Sequence, residues 1–137
     1  MGAQFVPLFR TIRKRTKMEQ LLEVKNLSVS IDGPAGEVQA VRDVSFSLKK
    51  GEVLAIVGES GCGKSMLCKS VMKLLPPSAR ITNGSISVCG QDITGYREKE
   101  MQNLRGKIFS MIFQDPMTAL NPTIKIGKQI AEAVIIH

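Results

Sequence analysis

The sequence predicts an α/β fold: a strand–loop–helix core with parallel strands, preceded by an antiparallel β unit. Three observations predict it. Five apolar residues, Val53-Leu54-Ala55-Ile56-Val57, run straight into Gly58-Glu59-Ser60-Gly61-Cys62-Gly63-Lys64-Ser65, and apolar residues at helical spacing follow. Strand, glycine loop, helix is the context in which a G-x-x-x-x-G-K-S pattern becomes a phosphate site. Apolar and polar residues alternate between Leu22 and Leu48 around the turn-forming Asp32-Gly33-Pro34-Ala35-Gly36. Finally, Ile108-Phe109-Ser110-Met111-Ile112-Phe113 is an almost continuous apolar run, the pattern of a strand buried on both faces.

Residues 1–20 are read as a basic extension. Arg10, Arg13, Lys14, Arg15 and Lys17 stand with no acid among them, beside Phe5, Val6, Leu8, Phe9 and Ile12. A secretory signal puts charge first and a longer apolar run second; here the order is reversed and Pro7 interrupts. A short membrane-surface segment is one reading. A disordered extension upstream of a start at Met18 is the one expected.

From Leu21 the pattern is strand-like, with Leu22, Val24, Leu27, Val29 and Ile31 apolar and a break at Lys25-Asn26 that suits a bulge. Val38 to Val41, then Val44, Phe46 and Leu48, predict a second and a third strand. Lys49-Lys50-Gly51-Glu52 makes the tight turn into the Val53–Val57 strand. After the glycine loop, Leu67, Val71, Leu74 and Leu75 form one helical stripe, which Pro76-Pro77 ends. Asn83-Gly84 begins a strand over Ser85 to Cys89, closed by Gly90. Glu98 to Arg105 reads as a short polar helix. The Ile108–Phe113 strand ends at Gln114-Asp115-Pro116, Pro122 bounds the next loop, and Ile126 onward is helical with Ile130, Val134 and Ile135 on one face.

The loop's residue types follow from what a polyphosphate requires. Several backbone N–H groups must point inward at once, and Gly58, Gly61 and Gly63 let the chain bend around the anion without Cβ clashes. The helix starting near Lys64 turns its unpaired N–H groups and positive dipole end to the same place. Lys64 supplies a charge for the outer phosphates, and the Ser65 hydroxyl can ligate Mg²⁺. A glycine-rich turn that merely caps a helix would need none of this order.

Composition narrows the classes. At 137 residues, with 43% hydrophobic and 23% charged residues, the chain supports one modest core. No apolar run reaches the ~20 residues of a membrane span, so work at a membrane would run through a partner. The net charge of +7 is local: outside the five residues from Arg10 to Lys17, 14 basic residues face 12 acidic ones. That balance argues against nucleic-acid binding by the domain. Cys62, Cys68 and Cys89 match no metal-ligand spacing and read as reduced thiols, with Cys68 and Cys89 as small core residues.

Gly58 to Ser65, with a buried strand ending in Gln114, resembles the nucleotide-binding domain of ABC transporters, a P-loop NTPase core. In that family the glutamine after this strand, the Q-loop, reaches toward Mg²⁺ and the attacking water and links the site to the membrane subunits; Gln114 matches it. The segment Phe113-Gln114-Asp115-Pro116-Met117-Thr118-Ala119-Leu120-Asn121-Pro122, like Val57-Gly58-Glu59-Ser60-Gly61, is similar to the dipeptide, oligopeptide and nickel importer ATPases. The resemblance covers residues 21–137, corresponding to the first half of a family domain, from Walker A through Q-loop. It implies that Gly58, Glu59, Ser60, Gly61, Cys62, Gly63, Lys64, Ser65 and Met66 hold ATP. It further implies that Ser65 and Gln114 hold Mg²⁺ and that Lys64 and Gln114 serve catalysis. Implied partners are transmembrane permease subunits, a second ATP-binding subunit and, indirectly, a solute-binding protein, at the cytoplasmic face of the cell membrane.

Four departures accompany the resemblance. An LSGGQ-type signature is absent, as is a strand-ending Asp-Glu pair, since none of the 12 acids adjoins another. The switch histidine is missing, because the single His is the terminal His137. No Phe, Tyr, Trp or His lies between Ser28 and Asp43 to stack on adenine, so aliphatic groups such as Val38 or Val41 would carry the base. The expected function is the truncated ATP-binding subunit of a di- or oligopeptide importer. The alternatives are a nickel or other solute importer of the same family, or a nucleotide-binding regulatory fragment that does not hydrolyse ATP. A small GTPase is excluded by the lack of an N-K-x-D sequence. The Asp115–Pro122 segment points away from the DNA-repair ATPases that share the early motifs.

Overall fold

The computed structural model of the protein describes residues 20–34, 36–114 and 120–136. The expected basic extension (1–19), Ala35, the Asp115–Ala119 part of the importer-like segment, and His137 lie outside the described residues. The chain divides into two units, Met1–Gly95 and Tyr96–His137.

The first unit is built on a four-stranded antiparallel sheet of β1 (Gln20–Gly33), β2 (Gly36–Lys49), β3 (Ala79–Val88) and β4 (Gln91–Asp92), in the order β2-β1-β3-β4. Alternation puts Val24, Leu27, Val29, Val41, Ile86 and Val88 into the core. Each such side chain, fully buried, contributes about 1.5–3 kcal/mol. The break at Lys25-Asn26 is a bulge: Val24 pairs with Phe46 and Leu27 with Val44, leaving one extra residue on β1. Side chains satisfy the freed backbone. The Asn26 N–H donates to Ser45 Oγ at 2.7 Å, and the Asp43 N–H to Ser28 Oγ at 3.1 Å. Across the bulge on the β3 side stands Gly84, at φ +95°, where a Cβ would strike the backbone of Lys25, Asn26 and Leu27. Arg80 of β3 ties the β1–β2 hairpin down by pairing with Asp32 and with Glu37. The Asp32 hydrogen bond and the two carboxylate charges hold its guanidinium above its ordinary value.

Several expectations are corrected here. The second and third strands are one, because β2 runs unbroken through Arg42-Asp43, with Asp43 at φ +47° held by its bond to Ser28. Asn83-Gly84 lies inside β3 rather than at its start. Cys89 is exposed in a turn at φ +51°, not packed in a core. The Val53–Val57 strand does not form: residues 52–59 take no regular structure, and Val53 is 96% and Val57 91% exposed. Nor does the doubly buried strand at Ile108–Phe113, which makes a single parallel bridge, Arg105 to Phe109, and leaves Ile112 98% exposed. Both segments are patterned for the interior of a parallel sheet, where pairing on either edge and cover on either face hold a strand. Among the described residues no such neighbours flank them.

Helix α1 (Lys64–Val71) packs on β1 and β2 and buries Leu67 and Ser70, with Met72 just beyond its end. It stops before the prolines. Lys73, at φ +51°, closes a Schellman motif in which the Leu74 N–H donates to Lys69 O at 2.8 Å and the Lys73 N–H to Ser70 O at 3.1 Å.

In the second unit, α2 (Glu98–Gln102) is shorter than expected. It is opened by the Glu100 carboxylate, which accepts from the Arg97 N–H at 2.7 Å. Its Met101 is fully buried. Arg105 pairs with Glu98 and holds that carboxyl below its usual range, through the hydrogen bond first. Helix α3 (Ile126–Ile136) carries Ile126, Ile130 and Val134 at four-residue spacing, all exposed. Among the described residues no helix is long and apolar enough to cross a membrane.

Candidate phosphate-binding loop

Residues 58–63 turn the chain from the extended segment into α1. The loop curls until its first and fifth residues touch, since a Cβ on Gly58 would lie 2.7 Å from Cys62 Sγ. The Cys62 N–H donates to Glu59 O at 3.4 Å across the same curl. Gly61 and Gly63 take φ +81° and +95°, values a side chain resists. Gly63 has a second reason to be glycine: its Cβ would fall on the carbonyl oxygen of Ala40, with Val41 Cγ2 3.7 Å away. Strand β2 is irregular there. Val41 pairs with Val29 and Gln39 with Ser30, so Ala40 is the extra residue of a bulge set against the loop–helix junction.

Lys64 fills the curl. Its Nζ donates to Gly58 O at 2.7 Å and to Glu59 O at 2.5 Å, and lies 3.5 Å from Cys62 Sγ. The ammonium is thereby parked on the loop's own carbonyls. Helix α1 begins at this residue with no side-chain cap and no acid in its first turn. Its first N–H groups are thus left uncapped by a side chain, the end of a helix that favours negative charge. Ser65 is exposed in that first turn and Met66 half-buried after it; Glu59 and Ser60 are exposed on the loop. The structure thus brings Gly58, Glu59 and Cys62 into contact with Lys64 and sets Gly63 against Ala40, with Ser65 and Met66 continuing into the helix. Gln114 is exposed and belongs to the second unit.

Of the two aliphatic residues expected to carry a base, Val41 is closed to one at 5% exposure, while Val38 is 59% exposed. Ala40 was not legible as a site residue, because a bulge carbonyl leaves no mark in an alternating pattern. Among the described residues no cluster of three or more His, Cys, Asp or Glu could hold a metal ion. A cation here would rest on a hydroxyl and on the phosphates themselves. That donor set suits Mg²⁺, which is bound through few protein ligands and substrate oxygens.

The curl makes Cys62 a reporter. Mg-ATP is expected to shield Cys62 from alkylation while Cys89, also exposed and outside the loop, labels at the same rate throughout. Mass-spectrometric mapping checks this, and Cys62 labelling indifferent to nucleotide would count against the site.

The ABC transporter family matches residues 41–135 of the chain. The chain is 56% identical over 121 residues to the dipeptide transport ATP-binding protein DppD of Bacillus subtilis, covering 88% of this chain and 36% of the relative. It is 55% identical over 122 residues to the oligopeptide transport ATP-binding protein OppD of the same organism, covering 88% and 34%. The chain thus spans about a third of the length of the curated relatives it matches. Among solved structures it superposes on MJ0796, a bacterial ABC transporter cassette determined as a dimer, with a TM-score of 0.73 at 21% identity over 84% of this chain and 47% of that one.

Proposed function

The chain belongs to the ABC transporter family, and on that premise we propose that it is the phosphate-binding portion of an ATP-binding subunit powering di- or oligopeptide import. Residues 21–137 form the Walker A-to-Q-loop part of such a domain, and residues 1–20 an extension before it. The observation that carries the peptide reading is the 56% identity to a dipeptide transport ATP-binding protein. The relatives' printed roles favour it over nickel import and over a regulatory fragment.

In this reading Gly58 to Ser65 and Met66 receive the ATP phosphates on backbone N–H groups, aided by the N-terminus of α1. Lys64 leaves the Gly58 and Glu59 carbonyls for the β- and γ-phosphates, exchanging neutral acceptors for charged ones. Ser65 and, by its place in the family motif, Gln114 would hold Mg²⁺, which would supply charge to offset that of the phosphates. Gln114 also positions the attacking water. Permease subunits and a second ATP-binding subunit complete the assembly at the cytoplasmic face of the membrane, with a solute-binding protein as an indirect partner.

The chain by itself is expected to release phosphate far below ~1 s⁻¹, the low end of ordinary enzymes. Its sequence holds no Asp-Glu pair and no LSGGQ-type signature, and loss of a general base alone removes a factor of ~10²–10⁴. A phosphate-release assay with Lys64→Ala as contamination control checks this; Lys64-dependent turnover near ~1 s⁻¹ would contradict it. The function is tested by grafting residues 21–137 in place of the matching third of the Bacillus subtilis dipeptide protein. Dipeptide uptake that Lys64→Ala abolishes supports the reading. An assembled, ATP-hydrolysing chimera without uptake overturns the peptide assignment.

A further inference from the structure

We infer that Gln129 is a positioning residue for the proposed reaction: its side-chain amide clasps the turn Asn121–Ile124 to the first turn of α3 and thereby fixes the far end of the connection that begins at Gln114. Given the role proposed for Gln114 toward Mg²⁺ and the attacking water, on which this rests, Gln129 is the residue through which that glutamine is held in place.

The clasp is a set of hydrogen bonds within the second unit. The Asn121 N–H donates to Gln129 Oε1 at 2.9 Å, while Gln129 Nε2 donates to Asn121 O at 2.9 Å and to Ile124 O at 2.8 Å. One planar amide thus engages both main-chain groups of Asn121, as a neighbouring strand would. Its partners fix its orientation, because an N–H only donates and a carbonyl only accepts. The turn also closes on itself. The Ile124 N–H donates to Asn121 O at 3.2 Å, and Asn121 Oδ1 accepts from the Thr123 N–H at 3.0 Å and from the Thr123 hydroxyl at 2.7 Å. Gln129 is therefore not needed to form the turn; it sets where the turn sits on the helix. Burial does not set it, since residues 120–126 are all exposed, with Leu120 at 47% and Ile124 at 43%.

The side-chain type is specific to this task. Only a primary amide presents a donor and an acceptor side by side to one peptide unit. Glutamate, of the same size, would turn a carboxylate on the Asn121 and Ile124 carbonyls, and leucine offers neither group. A residue that merely packed against the turn would tolerate both.

Chain length links the clasp to Gln114. Asn121 lies seven residues after Gln114, whereas Ile126, where α3 begins, lies twelve after it. With the clasp the connection is tied at the nearer point; without it, at the farther. The effective concentration of a tethered group falls as about the −3/2 power of tether length, so release alone dilutes Gln114 by about twofold. Lost orientation adds to this, because a displacement of about 1 Å can cost about 100-fold in rate. An effect of about tenfold lies between these bounds.

Two measurements test the clasp and its consequence. On the full chain, hydrogen exchange at the Asn121 amide is followed by NMR in the parent and in Gln129→Leu. Protection should fall by about tenfold, with the amides of the β1–β3 pair unaffected; unchanged protection at Asn121 overturns the clasp. In the dipeptide-protein chimera, ATP turnover is measured for Gln129→Leu, Gln129→Glu, Gln114→Ala and the Gln129→Leu/Gln114→Ala pair. Both Gln129 variants should lower kcat by about tenfold at unchanged KM. Once Gln114 is replaced by alanine, Gln129→Leu should cost nothing further. Full kcat in Gln129→Leu, a change confined to KM, or losses that multiply in the pair overturn the positioning role. An intact kcat in Gln114→Ala removes the proposed role of Gln114 itself, and that of Gln129 with it.

Discussion

Replacing Lys64 by alanine is expected to weaken Mg-ATP binding by about 10- to 100-fold, the equivalent of one to two charge-assisted hydrogen bonds. The fold should survive. The Lys64 ammonium touches two loop carbonyls and a thiol, and takes no part in the buried core formed by Val24, Leu27, Val29 and Ile86. Its removal frees Gly58 O and Glu59 O to water at the surface, where an unpaired carbonyl costs little. Affinity and thermal midpoint measured side by side separate the two effects. Unchanged affinity would remove Lys64 from the phosphate site, and a collapsed midpoint would make it a structural residue instead.

Gly63→Ala is expected to damage both folding and binding. The left-handed backbone at φ +95° costs an L-residue about 1–2 kcal/mol on its own. The added methyl must also displace the Ala40 carbonyl, part of the β2 backbone rather than a pliant side-chain end. The total should exceed about 2 kcal/mol, enough to lower the midpoint of a domain this small by roughly 8 °C or more. Relaxation of that clash would re-aim the first N–H groups of α1, so nucleotide affinity should fall as well. Gly95→Ala is the matched control: its Cβ meets nothing within 4 Å and its φ is not in the left-handed region. Equal stability of the two variants would show that the loop does not press on β2 as described.

These two residues also mark where the sequence was readable. The contacts of Gly58, Gly63 and Lys64 fall on residues that the fixed spacing of the glycine loop singles out. The Lys25-Asn26 bulge was legible because it breaks a period-2 pattern, and the structure places Gly84 against it. The single long β2 was not, since Asp43 carries a positive φ that a bond from its N–H to Ser28 sustains, a partner 15 residues away. The end of α1 at Lys73 was missed for a similar reason: Pro76-Pro77 is a visible stop, whereas a lysine in a Schellman motif is not.

The parallel strands show a different limit. Val53–Val57 and Ile108–Phe113 have the composition of buried strands, but a strand exists only through its neighbours. Residues that could flank them are not found among those described, and most of the apolar side chains stand exposed, Val53, Val57 and Ile112 almost wholly. Pattern reports what a segment is suited to; pairing decides what it becomes. The candidate site shows the same division. Its proposed phosphate end lies in contiguous residues, whereas its neighbour on β2 depends on a long-range register that no local spacing encodes.

The central claim is that the backbone from Gly61 to Ser65 receives a triphosphate at the start of α1. Amide chemical shifts followed during a Mg-ATP titration test it most directly. Saturable shifts are expected, largest at the N–H groups of Gly61, Cys62, Gly63, Lys64 and Ser65, together with their loss in Lys64→Ala. Saturable binding whose largest shifts fall elsewhere, with these five amides unmoved, would contradict it.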